Sequence, residues 1–209
     1  MKNDEETLAS VNGYVPEAEK LKQALKETEN SPARTALRQL FDEATFAELG
    51  AYTFGYRSDP EKTAVFDGVV CGYGSVCGKL TYAFAQEYAR NEGAVDKVQA
   101  DKILSVYRLA LQNGAPVVGI FNSGGADLFD GISALSAYSR VMRAVTEASG
   151  KIPQIALIAG PCTGTAAVLA SLFDFVIRQN GAPFYVHGPE FGGETEDNDC
   201  AFAFLVPSV

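Results

Sequence analysis

The sequence predicts an α/β fold, on three observations. Past residue 114, apolar β-branched runs alternate with helix-periodic stretches at the spacing of crossover units, in which helices cover parallel strands. Ahead of that, residues 64–87 (AVFDGVVCGYGSVCGKLTYAFAQE) mix β-branched and aromatic residues with Gly72, Gly74 and Gly78, the texture of short adjacent strands joined by tight turns in a β-meander. Two strand-like runs also end in glycine-rich turns that lead toward helices, FNSGG at 121–125 and AGPCTG at 159–164.

Taken in order, residues 16–29 and 32–41 read as two helices split at Asn30-Ser31-Pro32, with Pro32 at a first helical position where its missing N–H is no loss. Leu21 and Leu25, then Leu37, Leu40 and Phe41, give each a narrow apolar stripe, so residues 1–45 are expected to form a helical arm lying on a larger body, its own or a partner's. After the meander, Val98, Ile103, Val106, Tyr107, Ala110 and Leu111 recur at helical spacing and Gly114 stops the helix. APVVGIFNSGG then reads as a buried strand, ISALSAYSRVMRAVTEASG as a helix, PQIALIAG as a strand that bends at Gly160 and Pro161, and TAAVLASLF as a helix. DFVIRQ and PFYVHGP follow as strands, and residues 46–209 are expected to make one domain.

With 209 residues and a formal charge of −9, the chain can bury a substantial core but repels phosphate backbones and anionic lipid, which argues against nucleic acid as a partner. An anionic small molecule remains open, because backbone amides can override the global field locally. The opening MKNDEETLAS has no basic and apolar signal pattern, and no apolar run approaches a membrane span; a cytoplasmic protein is expected. Cys71, Cys77, Cys162 and Cys200 form no CxxC pair, so they read as reduced thiols rather than zinc ligands or a redox motif.

In a crossover α/β domain, ligands settle at the carboxyl ends of the strands. Without bulky side chains, the amides of Gly125 and Ala126 can face a ligand there, and Gly164 with Thr165 opens a second helix in the same manner. Backbone donors gathered from two such turns suit a developing oxyanion, such as the enolate oxygen of a thioester that loses an α-proton or a carboxylate. The plainer alternative is that these glycines serve only turn geometry and helix–sheet packing.

At this point several ordered blocks between Ala33 and Pro189 resemble the biotin-dependent acyl-CoA carboxyltransferases. They are RQLFDEATFAELGAY, VFDGVVCGYGSVCGK, FAQEY, LALQNGAPVVGIFNSGGA, ASGKIPQIALIAGPCTG, DFVI and HGPE. The resemblance implies a crotonase-like spiral of ββα units, of which this chain looks like the N-terminal, acyl-CoA-facing half. It implies biotin carried on a partner protein, a coenzyme A thioester as substrate, a complementary C-domain chain and an oligomer. The protein's share of the chemistry would be positioning and oxyanion stabilisation, with oxyanion roles carried onto Gly124, Gly125, Ala126, Gly164 and Thr165. Contacts to coenzyme A or biotin would fall to Gly93, Ala94, Lys102, Gly160, Pro161, Cys162 and Thr163. Two alternatives stand beside this reading: a biotin-independent malonyl-thioester decarboxylase subunit, and a non-catalytic subunit that scaffolds a carboxyltransferase complex.

The sequence departs from the family pattern in places. Where the family shows DSGGAR, this chain has Asn122 first and Asp127 last; Glu92 stands where a glycine is expected, and PCAGG becomes PCTGT. Arg90 is a candidate to compensate for the arginine missing at Asp127. Glu87 keeps a carboxylate but has no second one at a spacing for paired acid–base work. His187, the only histidine, reads as structural before it reads as a base, Cys162 as a packed thiol before a nucleophile, and residues 194–199 as a solvated acidic loop.

Overall fold

A computed structural model describes residues 29–51, 53, 68–126 and 131–186, together with the backbone of 203–206. The expected helix at 16–29, the start of the meander before residue 68, Asp127, His187, Cys200 and the acidic stretch 194–199 lie outside the described residues or at their margin.

Helix α1 (Pro32–Leu40) starts as the sequence dictates: the Ser31 hydroxyl accepts the Arg34 N–H, and Pro32 occupies the first turn. Strand β2 (Val69–Val76) pairs antiparallel with both β1 (Ala47–Leu49) and β3 (Lys79–Gln86). Helix α2 (Lys97–Asn113) then crosses to β4 (Val117–Ser123), α3 (Ile132–Ala148) to β5 (Gln154–Thr163), and α4 (Thr165–Ala170) to β6 (Phe175–Gln179). Strands β3 to β6 are parallel, β8 (Ala203–Val206) adds to β6, and the short β7 (Phe184–Tyr185) pairs with the far end of β5. Meander and crossover units therefore share one eight-stranded sheet.

Residue alternation along the strands separates two cores. Cys71, Phe84, Val117 and Phe121 point toward α2, α3 and α4, where Ile103, Tyr107, Tyr138, Val141 and Leu169 complete the larger core. Val70, Ala83, Ala85, Val118 and Ile120 face the other way and receive Ala33, Leu37 and Phe41 of α1. The arm helix thus lies on the sheet of its own chain. Buried Arg34 holds it there through a two-pronged pair with Glu48, Nε to Oε2 at 2.9 Å and Nη2 to Oε1 at 2.7 Å. Glu87 is also accounted for, since its buried carboxylate accepts the Ala33 N–H in the first turn of α1, where a negative charge is favoured.

Two local expectations change. Gly72 and Gly74 are not turns; they lie within β2, where a Cβ would strike Phe46 and Ala47 or the Phe41 ring. The two-residue turn of the β2–β3 hairpin is Cys77-Gly78, both at positive φ. In addition, β5 does not end at the Gly160-Pro161 bend, where the ladder to β4 is irregular. The register slips between Phe121/Ile158 and Ser123/Cys162, and the strand continues to Thr163 because β7 takes over the pairing. The Cys162 N–H donates to the Pro183 carbonyl at 2.9 Å.

The hairpin tip is pinned by Asp42, whose two carboxylate oxygens accept the N–H groups of Cys77 at 3.0 Å and Gly78 at 2.9 Å. These bonds, Gly78 first, lower its pKa below 3.8. A depressed folded-state pKa gives stabilisation that is present above the unfolded value and lost as pH falls through the folded one. Amide exchange at Cys77 and Gly78 is therefore expected to accelerate, relative to neighbouring strand amides, as pH drops below about 4, and Asp42→Asn should blunt that pH dependence. Hydrogen exchange read by NMR checks it; an unchanged pH profile in Asp42→Asn would contradict it.

Candidate active site

Four segments meet at the carboxyl ends of β3, β4 and β5. The chain leaves β3 at Gln86 and makes a tight left-handed turn over Asn91, Glu92 and Gly93, all at positive φ. This turn lies directly on the end of β4: a Cβ on Gly93 would overlap the Asn122 carbonyl oxygen and reach 3.0 Å from Ser123 Cα. Gln86 clamps the two, donating from Nε2 to the Gly93 carbonyl at 3.1 Å and accepting the Asn122 N–H at Oε1 at 3.3 Å. The Gly124 N–H closes the contact by donating to the Glu92 carbonyl at 2.8 Å.

Beyond β4 the chain makes a serine turn: the Ser123 hydroxyl accepts the N–H of Gly125, two residues on, at 3.1 Å. Gly125 takes a φ of +109°, and a Cβ there would lie 3.0 Å from the Thr163 carbonyl oxygen and 3.6 Å from Thr165 Oγ1. The second turn follows β5 at Gly164, whose φ of +59° and ψ of −128° belong to a region that side-chain-bearing residues avoid. Thr163 Oγ1 donates to the Gly124 carbonyl at 2.9 Å, so the two turns are bonded to each other as well as in contact. The two places that the sequence marked are neighbours in space.

Which amides remain available is narrower than the sequence suggests. Those of Gly124 and Gly125 are already used, and the Gly164 N–H donates to the Tyr185 carbonyl at 3.0 Å. Among the described residues, no acceptor faces the N–H of Ala126 or of Thr165. The latter opens α4, in which the first intrahelical bond runs from the Val168 N–H to the Gly164 carbonyl at 3.1 Å. The available pair is therefore one amide from each turn.

The remaining residues singled out from the sequence divide clearly. Gly93, Ala94 and Cys162 are buried, and Gly160 is covered by the Asn122 side chain, whose Oδ1 is buried without a hydrogen bond. Pro161 and Thr163 are partly exposed in the last turn of β5. Lys102 stands at the same end of the sheet, but its ammonium donates to the Val69 carbonyl at 2.6 Å and its stem packs on Gly50. Arg90 leads into the left-handed turn and packs on Gly68. Glu92 is exposed, with Oε2 lying 3.1 Å from the place a Gly124 Cβ would occupy, so the residue replacing the expected glycine sits over the first turn.

The sequence reading missed Tyr138. Its ring is buried in α3 and its hydroxyl donates to the Gly125 carbonyl at 3.0 Å. Burial raises its pKa, although the nearby hydroxyls of Ser123 and Thr165 and the Val95 backbone act in the opposite sense. Thr165 Oγ1 is buried beside it without a well-aligned hydrogen bond. A tyrosine at a buried helical position carries no sequence signal beyond core packing.

A model of the carboxyl transferase domain matches residues 27–194. The methylmalonyl-CoA decarboxylase subunit alpha of Veillonella parvula is 40% identical over 164 residues, which is 75% of this chain and 32% of that protein. The propionyl-CoA carboxylase beta chain of Cereibacter sphaeroides is 35% identical over 165 residues, 76% of this chain and 32% of its own. The chain thus spans about a third of the length of these relatives. Among solved structures, the transcarboxylase 12S hexamer with methylmalonyl-coenzyme A bound superposes with a TM-score of 0.73 and 28% identity, over 87% of this chain and 38% of that one. A Pseudomonas malonate decarboxylase hetero-tetramer in complex with malonate gives 0.69 and 26% identity, over 78% of this chain and 63% of that one. These neighbours are crotonase-fold carboxyltransferases, and this chain has that fold. The chain belongs to the carboxyl transferase domain family.

Proposed function

We propose that this chain is the acyl-CoA-binding half of a carboxyltransferase, holding a coenzyme A thioester where the β4 and β5 turns meet. The observation that carries the reading is the convergence of those turns over a hydrogen-bonded core, with no acceptor for the Ala126 and Thr165 amides among the described residues. Donors fixed in advance stabilise the enolate oxygen more than the ground-state carbonyl, and removing one such donor typically costs about 3 kcal/mol of barrier. No side-chain base is needed in this half. The protein positions the α-carbon and neutralises the oxygen, and the carboxyl group arrives or leaves through the partner.

Biotin, brought by a carrier protein, would supply or accept that carboxyl group. The residues of this chain fit the thioester better than they fit biotin. Gly93 and Cys162 are buried by the chain itself, Gly160 is partly covered by Asn122, and Lys102 is held by Val69. The biotin face is assigned to the family's second half, in an oligomer that works in the cytoplasm. Among the described residues no helix is long and apolar enough to cross a membrane.

The test is reconstitution of the full chain with a second-half carboxyltransferase chain and a biotin carrier protein. Binding of propionyl-CoA by calorimetry and carboxyl transfer abolished by avidin are expected. Failure to bind any acyl-CoA in that complex would contradict the proposal. The malonate decarboxylase neighbour supports a second reading, a biotin-independent malonyl-thioester decarboxylase, which avidin-insensitive turnover would favour. Binding to the second-half chain without thioester binding or turnover would favour a scaffold.

A further inference from the structure

We infer that Tyr138 is a positioning residue for the thioester site: from inside the core, its hydroxyl sets the direction in which the Ala126 amide points. The inference rests on the proposed role of that amide in receiving the thioester oxygen. Its physical basis is the planarity of one peptide unit. The Gly125 carbonyl and the Ala126 N–H belong to the same trans peptide, in which the C=O and N–H bonds point in opposite directions. The Tyr138 hydroxyl donates to that carbonyl at 3.0 Å from a side chain only 1% exposed, which draws the oxygen inward. The N–H, on the opposite edge of the same plane, is thereby turned away from the core.

Such a constraint is needed because Gly125 has no side chain to resist rotation and sits at a φ of +109°. The preceding peptide is held at both ends, by Thr163 Oγ1 on the Gly124 carbonyl at 2.9 Å and by Ser123 Oγ on the Gly125 N–H at 3.1 Å. The Gly125–Ala126 unit has Tyr138. The same phenol lies beside a hydroxyl from each turn, Ser123 at the end of β4 and Thr165 at the start of α4. Burial keeps the phenol protonated and able to donate.

The experiment compares binding of propionyl-CoA with that of S-propyl-CoA, a thioether without the carbonyl, to the full-length chain and to Tyr138→Phe. One well-placed hydrogen bond corresponds to about a fivefold preference for the thioester, and Tyr138→Phe is expected to reduce that preference below about twofold while S-propyl-CoA affinity stays the same. A merely structural role would lower the melting temperature and leave the preference intact. Should Tyr138→Phe fail to fold, Tyr138→para-fluorophenylalanine fills the hydroxyl volume without a donor. A wild-type preference that survives in the variant overturns the inference and leaves the thioester site standing. Absence of any preference in the wild type overturns both.

Discussion

Gly93→Ala is expected to be among the most damaging single-methyl changes in the described residues, lowering stability by about 2–5 kcal/mol. Two costs add. A left-handed backbone, here at a φ of +68°, costs an alanine about 1–2 kcal/mol. The added methyl also overlaps the Asn122 carbonyl oxygen, a rigid backbone atom that cannot swing aside, and overpacking typically costs about 1–3 kcal/mol. For a domain of this size that corresponds to a fall in Tm of the order of 10 °C. Gly150→Ala is the control, since its φ of +73° is equally left-handed but nothing lies within 4 Å of the added methyl. Only the conformational cost, about 1–2 kcal/mol, should appear there. Equal Tm losses in the two variants would show that the Glu92-Gly93 turn does not press on β4.

Under the proposed function, Gly125→Ala is expected to fold and, in the reconstituted complex, to lose most of the carboxyl transfer. Its Cβ would stand 3.0 Å from the Thr163 carbonyl oxygen, and a φ of +109° is strained for any side chain. Relief comes by rotating the glycine-rich turn, which carries the Ala126 N–H with it. Loss of one oxyanion donor lowers kcat by about 10²–10³, whereas KM for the acyl-CoA should change much less, because the oxygen gains most of its charge at the transition state. Steady-state kinetics of the reconstituted complex measure this. A raised KM at unchanged kcat would place Gly125 in substrate binding rather than in catalysis.

Much of the architecture was legible because its signals are local. Ser31-Pro32 starts α1, and Gly114, at a φ of +59°, ends α2 where the apolar period stops. The two glycine turns were also legible, since a strand followed by glycine and then a helix leaves few conformations. What escaped depends on partners far away in sequence. Gly124, Gly125 and Gly164 looked like donors to a ligand, yet the acceptors that occupy two of them are carbonyls of Glu92 and Tyr185, 32 and 21 residues away. Gly72 and Gly74 looked like turns because nothing in their own segment reveals that Phe46 and Phe41 press on them. The continuation of β5 through Pro161 depends likewise on β7, a two-residue strand too short to announce itself.

Glu92 shows how a single departure from the family pattern acquires meaning only in the fold. It retains the left-handed turn, at a φ of +52°, that a glycine would adopt freely, and it places a carboxylate above Gly124. A negative charge there opposes a second one on the substrate, so uncharged acyl groups should bind better than malonyl-type ones, and Glu92→Gln should narrow the difference. Paired affinities for propionyl-CoA and malonyl-CoA measure it; an unchanged ratio in the variant would exclude this role.

The central claim is that one thioester oxygen lies between an amide of the β4 turn and an amide of the β5 turn. A crystal structure of the chain with propionyl-CoA bound tests it most directly. The account requires the carbonyl oxygen to lie about 3 Å from the backbone nitrogens of Ala126 and Thr165. Density for the thioester elsewhere, with both nitrogens facing solvent or capped by the chain's own groups, would contradict it.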